Sequence, residues 1–224
     1  MGDVAQKQFN MIPSFLGVPV GDLEDLVPGQ VAMAGYFCDN LEQPMAGQRY
    51  LARQLRYASQ PRKVATKAID LGDVNVFPLE RDKHSSIVIA QCVAVLEIGA
   101  RMVLVGGDAS GLKALGAAAK KIIGTDVPLV SITGDTKGNL PKAQPIIMSV
   151  DLIELAGMWM SNPRRLTGLS PAEMITQISA TQGNVIAAAI FGLAPSLDSR
   201  GSTETRAALA ILHAVAERLE KGAS

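Results

Sequence analysis

Apolar and polar residues along this chain follow two alternating periods. Short apolar-rich runs at 31–36, 63–70, 101–105, 127–132, 145–152 and 184–191 have the length of buried strands. Between them lie segments at 47–58, 85–98, 112–123 and 202–221 that read as helices. In 85–98 the apolar positions Ile87, Ile89, Ala90, Val93, Ala94 and Leu96 fall mostly at helical spacing. A further helix begins at Pro171, where Ser170 is placed to cap it and Glu173 completes a capping box. Gly106-Gly107 breaks the third strand run. Strands alternating with helices predict an α/β fold, a parallel sheet with helices on both faces. No repeat, low-complexity tract or linker interrupts the pattern. A single domain over residues 1–224 is expected, with 1–29 as an N-terminal extension packing on it.

Composition narrows the class. The 224 residues suffice for one large α/β domain, with 48% hydrophobic, 19% charged and 4% aromatic residues. Lys+Arg and Asp+Glu are both 21, so there is no basic excess for nucleic acid to meet. No apolar run reaches the roughly 18 residues that a membrane span needs, and no signal peptide is expected at the start. Two cysteines, Cys38 and Cys92, are too few for a disulfide framework or structural zinc. They read as reduced thiols of a cytoplasmic protein.

Catalytic constellations are sparse. His84 lies in Glu80-Arg-Asp-Lys-His-Ser and is expected to be a solvated loop residue; His213 is expected on the last helix, at its surface or in its packing. No Ser or Cys stands near a His and an acid as a nucleophile would. Gly106-Gly107 precedes a helix, but neither phosphate-loop pattern is present.

One stretch carries more. Met102-Val-Leu-Val-Gly-Gly-Asp-Ala-Ser110 resembles the Gly-Gly-Asp-His-Ser signature of the ureohydrolases, the arginase and agmatinase family. Several further motifs resemble that family in the same order. They are Ser14-Phe-Leu-Gly-Val-Pro19, Val31-Ala-Met-Ala-Gly-Tyr-Phe-Cys-Asp39, Gly47-Gln-Arg49 with Arg53, Leu55-Arg56 and Ser59, and Asp70-Leu-Gly-Asp73. Ser149-Val-Asp151, Gly168-Leu-Ser-Pro-Ala-Glu173 and 189–195 with Asp198 follow. The resemblance implies the arginase-like three-layer α/β/α fold with a mainly parallel central sheet, shortened relative to the family. It also implies a site at the strand ends where two bridged divalent metals hydrolyse guanidino groups.

The departures fall on the metal ligands. Ala109 stands where the family has a metal-binding His. The family's Asp-Ala-His-x-Asp motif falls on Thr133, Asp135 and Lys137. Asp151 keeps the first acid of the next motif, Ile153 replaces the second, and Ala156-Gly157 and Gly192 replace further family residues. The family's long insertion with its proton-transferring His is missing around 137–144. Ala109, Thr133, Asp135, Lys137, Asp151 and Ile153 are therefore expected to be vestigial metal-site positions. This chain is expected to hold no metal and to carry no catalytic residue. Lys137 is open to two readings: an ammonium in the metal's place, paired with Asp151 or Asp135, or a solvated loop lysine. Met158, Trp159 and Met160, near the mouth of the site, are candidates for an interface, for plugging the site or for local packing, and Arg164 and Arg165 for solvated arginines or for ion pairs across a contact.

The pattern is similar to that of heteromeric ureohydrolases such as metformin hydrolase, in which a dinickel catalytic subunit associates with a subunit lacking the ligands. The expected partner is thus a paralogous catalytic subunit carrying nickel or manganese, in a hetero-oligomer built as a trimer or hexamer. Two other readings stand beside it. One is a free-standing protein binding a guanidino or amine compound through Asp135, Asp151 or Asp198. The other is an enzyme rewired around Lys137 or Asp135.

Overall fold

The computed structural model describes residues 13–39, 47–59, 67–74, 80–133, 141, 143–157, 167–198 and 203–222. Six strands form one sheet: β1 (Val31–Gly35), β2 (Ala68–Asp73), β3 (Arg101–Val105), β4 (Leu129–Ser131), β5 (Pro145–Asp151) and β6 (Asn184–Phe191). Their order is β2-β1-β3-β6-β5-β4, with every neighbouring pair parallel. The helices are α1 (Leu51–Ala58), α2 (Arg81–Glu97), α3 (Ser110–Ile123), α4 (Pro171–Ala180) and α5 (Thr203–Lys221).

Alternation along the strands divides the core into two layers. Val31, Met33, Val103 and Val105 face α1, α4 and α5 through Leu51, Leu55, Met174, Ile178, Leu212 and Val215. Ala32, Ala34, Met102 and Leu104 face α2 and α3 through Val88, Cys92, Val95, Leu115 and Ala118. Central strands buried on both faces have no polar side, which is why they read as uninterrupted apolar runs. The expected α/β architecture is present.

Several boundaries shift. The helix expected over 85–98 starts at Arg81. The strand expected over 63–70 runs instead from Ala68 to Asp73, and 63–66 lie outside the described residues. Strands β3 and β6 match their expected spans. The Ser170 side chain accepts from Glu173 N at 3.2 Å and Glu173 returns the bond to Ser170 N at 2.7 Å, the capping box foreseen for α4.

One polar knot locks the N-terminal segment to the sheet. Asp70, on β2, is 1% exposed. Its two carboxylate oxygens take Arg56 Nε and Nη2 at 2.8 and 2.9 Å. They also accept Phe15 N and Gly72 N, both at 2.9 Å. Arg56 further bonds Gly72 O at 2.7 Å and Asp73, and its guanidinium lies 4.1 Å from the Phe15 ring centroid. Two motifs distant in sequence, Leu55-Arg56 and Asp70-Leu-Gly-Asp73, thus meet as one bidentate ion pair.

Candidate functional site

From β1 the chain steps outward to β2, whereas from β3 it crosses to the far edge at β4. Neighbouring strands that lead opposite ways open a crevice at their C-terminal ends, where α/β folds place ligands. Positions 109, 133, 151, 153 and 192 all follow or end strands on this rim. Gly106 N bonds Ile190 O at 2.7 Å, Tyr36 N bonds Val105 O at 2.8 Å, and Gly107 N bonds Gln48 O at 3.1 Å. These bonds fix the ends of β1, β3 and β6 relative to one another. Gly107 makes the close approach possible: at φ +68°, a Cβ there would stand 2.6 Å from Tyr36 Cδ1 and 2.8 Å from Tyr36 O.

Ala109 opens α3 and offers a methyl group, and Ile153 offers a hydrocarbon; neither has a lone pair for a cation. Asp151 is the retained acid, and its Oδ1 accepts Ile153 N at 3.0 Å, capping the short 3-10 helix Leu152–Glu154. Gly192, at φ +99°, lies against it, since a Cβ there would fall 2.3 Å from Asp151 Oδ1. Thr133 is half-buried just beyond β4. Among the described residues no group of three or more His, Cys, Asp or Glu could hold a metal ion. The donors described here do not fit a two-metal centre, whose cations need several carboxylates or imidazoles against their mutual repulsion. Asp135 and Lys137 lie outside the described residues, as do Met158, Trp159, Met160, Arg164 and Arg165.

Beside the rim lies a polar network that the sequence reading missed. His84 is 1% exposed, which corrects the expectation of a solvated loop residue. It belongs to α2, on the stripe continued by Val88, Cys92 and Val95. The helical period extended one turn backward would have placed it inside; the charged neighbours 80–83 hid that signal.

His84 Nε2 is 2.9 Å from Tyr36 Oη, which is 2.6 Å from Ser110 Oγ, which in turn meets Asp108 Oδ1. Asp108 is 1% exposed and also accepts Ser110 N at 3.0 Å. A carboxylate only accepts, so the Ser110 hydroxyl donates to Asp108 and takes the Tyr36 hydroxyl hydrogen. The Tyr36 oxygen then accepts from His84 Nε2–H, which places a proton on Nε2. Burial lowers the His84 pKa, and Asp108 opposes that shift. Burial also pushes the Tyr36 hydroxyl and the Cys38 thiol upward.

This arrangement ties α2 to β1 and β3. The described side-chain contact of His84 is with the Tyr36 phenol. Cys38 and Cys92 are both free and buried. His213 is partly exposed and 3.5 Å from Glu217 on its own helix. No helix among the described residues is long and apolar enough to cross a membrane.

Comparison with solved structures identifies the architecture. A hypothetical agmatinase from Burkholderia thailandensis superposes with a TM-score of 0.79 at 17% identity, covering 94% of this chain and 91% of the other. Proclavaminate amidino hydrolase from Streptomyces clavuligerus gives 0.77 at 14% identity, covering 96% and 99%. Agmatine ureohydrolase of Thermoplasma volcanium gives 0.71 at 16% identity, covering 97% and 98%. No protein-family model matches the chain, and no curated protein does. The chain has the arginase-like α/β fold of the ureohydrolases, and at 224 residues it is short for it.

Proposed function

We propose that this chain is a non-catalytic subunit of a heteromeric ureohydrolase-type hydrolase. A paralogous subunit bearing a divalent metal pair carries the C–N hydrolysis of an amidino or guanidino group. The observation behind this reading is the rim itself. The fold of agmatinases and amidino hydrolases is kept at TM-scores of 0.71 to 0.79, while Ala109 and Ile153 offer no donor and Asp151 caps its own chain.

A scaffold without the donor set retains the surfaces through which subunits pack, and it can support a paralogue that kept its metals. A complex of the metformin hydrolase kind, trimeric or hexameric and with nickel or manganese in the partner, is the specific form of this proposal. Co-expression with a metal-bearing paralogue from the same genome tests it. Co-purification in a fixed ratio, with guanidine hydrolysis only in the mixture, is expected. Independent elution of the two chains, with full activity in the paralogue alone, overturns it.

One observation favours a second reading, a free-standing protein that binds a guanidino or amine compound. Asp198 follows β6 on the same rim; its Oδ2 is held by Thr205, and its Oδ1 is buried without a partner among the described residues. Calorimetric titration of the isolated chain with agmatine separates the readings: micromolar binding lost in Asp198→Asn supports the second, and no binding removes it.

A further inference from the structure

Among the described residues, two arginines at the opposite end of the sheet have no carboxylate against them. Arg101 opens β3 and is 7% exposed; Arg218, in the last turns of α5, is half-buried and reachable by solutes. Arg101 donates Nη1 to Val185 O and Nη2 to Asn184 Oδ1 at 2.8 Å and to Gly222 O. Arg218 donates Nε and Nη2 to Thr181 O at 3.0 and 2.8 Å, and Nη2 to Gly183 O at 2.6 Å. Every one of these acceptors is neutral. They orient the guanidinium groups without offsetting two positive charges withdrawn from water. Burial lowers the Arg101 pKa, and the charge of Arg218 lowers it further; burial lowers that of Arg218 as well.

The remaining donors converge. A guanidinium has five N–H groups, so among the described residues both Arg218 Nη1 hydrogens, one Arg101 Nη1 hydrogen and Arg101 Nε–H stand outside these bonds. A Cβ on Gly222 would stand 3.0 Å from Arg101 Nη1 and 3.3 Å from Arg218 Nη1. The two Nη1 groups therefore flank one point beside the Gly222 backbone. Paired guanidinium groups whose nitrogens flank a common point are a donor set that oxyanions take.

We propose that Arg101 and Arg218 form a binding site for a small oxyanion of the phosphate or carboxylate type, remote from the rim at the strand C-termini. Inorganic phosphate, titrated into the purified chain at constant ionic strength, is the probe. A saturable rise in Tm of several degrees is expected at millimolar phosphate, absent when chloride replaces it. Arg218→Gln is expected to abolish the response while Arg206→Gln, on the exposed face of α5, retains it. Gly222→Asp brings a carboxylate beside both Nη1 groups. It is expected to raise Tm without phosphate and to remove the phosphate response, a readout that survives if Arg218→Gln fails to fold. No saturable response in the natural chain, or an undiminished response in Gly222→Asp, overturns the proposal.

Discussion

Replacing Arg56 by alanine tests whether the knot around Asp70 holds the N-terminal segment in place. The Arg56 side chain is 11% exposed and that of Asp70 1%, so solvent cannot replace the lost guanidinium at low cost. In Arg56→Ala the carboxylate keeps, among the described residues, the Phe15 and Gly72 amides and loses two charge-assisted bonds at 2.8 and 2.9 Å. Removing one partner of a buried pair costs about 3–5 kcal/mol, because the other charge stays buried without compensation. The lost contact with the Phe15 ring, at 4.1 Å, adds to this cost. A domain of this size loses roughly 2–4 °C of Tm per kcal/mol, so a fall of about 6–20 °C is expected. Urea unfolding followed by circular dichroism gives the free energy directly. Asp70→Asn in the Arg56→Ala background removes the stranded charge but sets an amide nitrogen against one of the two backbone amides, so the double variant is expected to lose less than the sum of the two single losses by at least about 1 kcal/mol. A loss below about 1 kcal/mol for Arg56→Ala, or losses in the two single variants that simply add in the double variant, contradict a strong buried pair.

Three further outcomes are expected. Burial depresses the His84 pKa below its ordinary 6.5, so the unfolded chain binds the proton more readily than the folded one. The associated stability is present above that value and declines as pH falls from it through the lower folded value. His84→Gln is expected to flatten this part of a pH–stability curve, and an unchanged slope argues against a buried neutral imidazole. Gly107→Ala meets Tyr36 at 2.6 Å with φ at +68°, for an expected loss of about 2–5 kcal/mol. Gly72→Ala, at φ +75° with nothing within 4 Å, is expected to lose only about 1–2 kcal/mol, and equal losses by chemical denaturation contradict the packing argument.

How much of this the sequence could disclose depended on the range of the cause. Local causes were legible: Ser170 and Glu173 announce their own cap, and the uninterrupted apolar residues of 101–105 and 184–191 require burial on both faces. The start of α2 was missed because Arg81, Asp82 and Lys83 carry the composition of a loop, although His84 keeps step with Val88, Cys92 and Val95. Long-range causes were hidden. Arg56 and Asp70, Tyr36 and Ser110, and Arg101 and Arg218 meet only through the register of a parallel sheet and the docking of helices on it. Residues at the rim were named in advance from a resemblance, and their shared place at the strand ends follows from the strand order.

Metal content of the isolated, purified chain, measured by plasma mass spectrometry after exposure to nickel and manganese and removal of excess ion, is the most direct test of the central claim. With a ureohydrolase-like scaffold that persists without the donors for a metal pair, well below one retained equivalent per chain is expected. Two tightly held equivalents would contradict it.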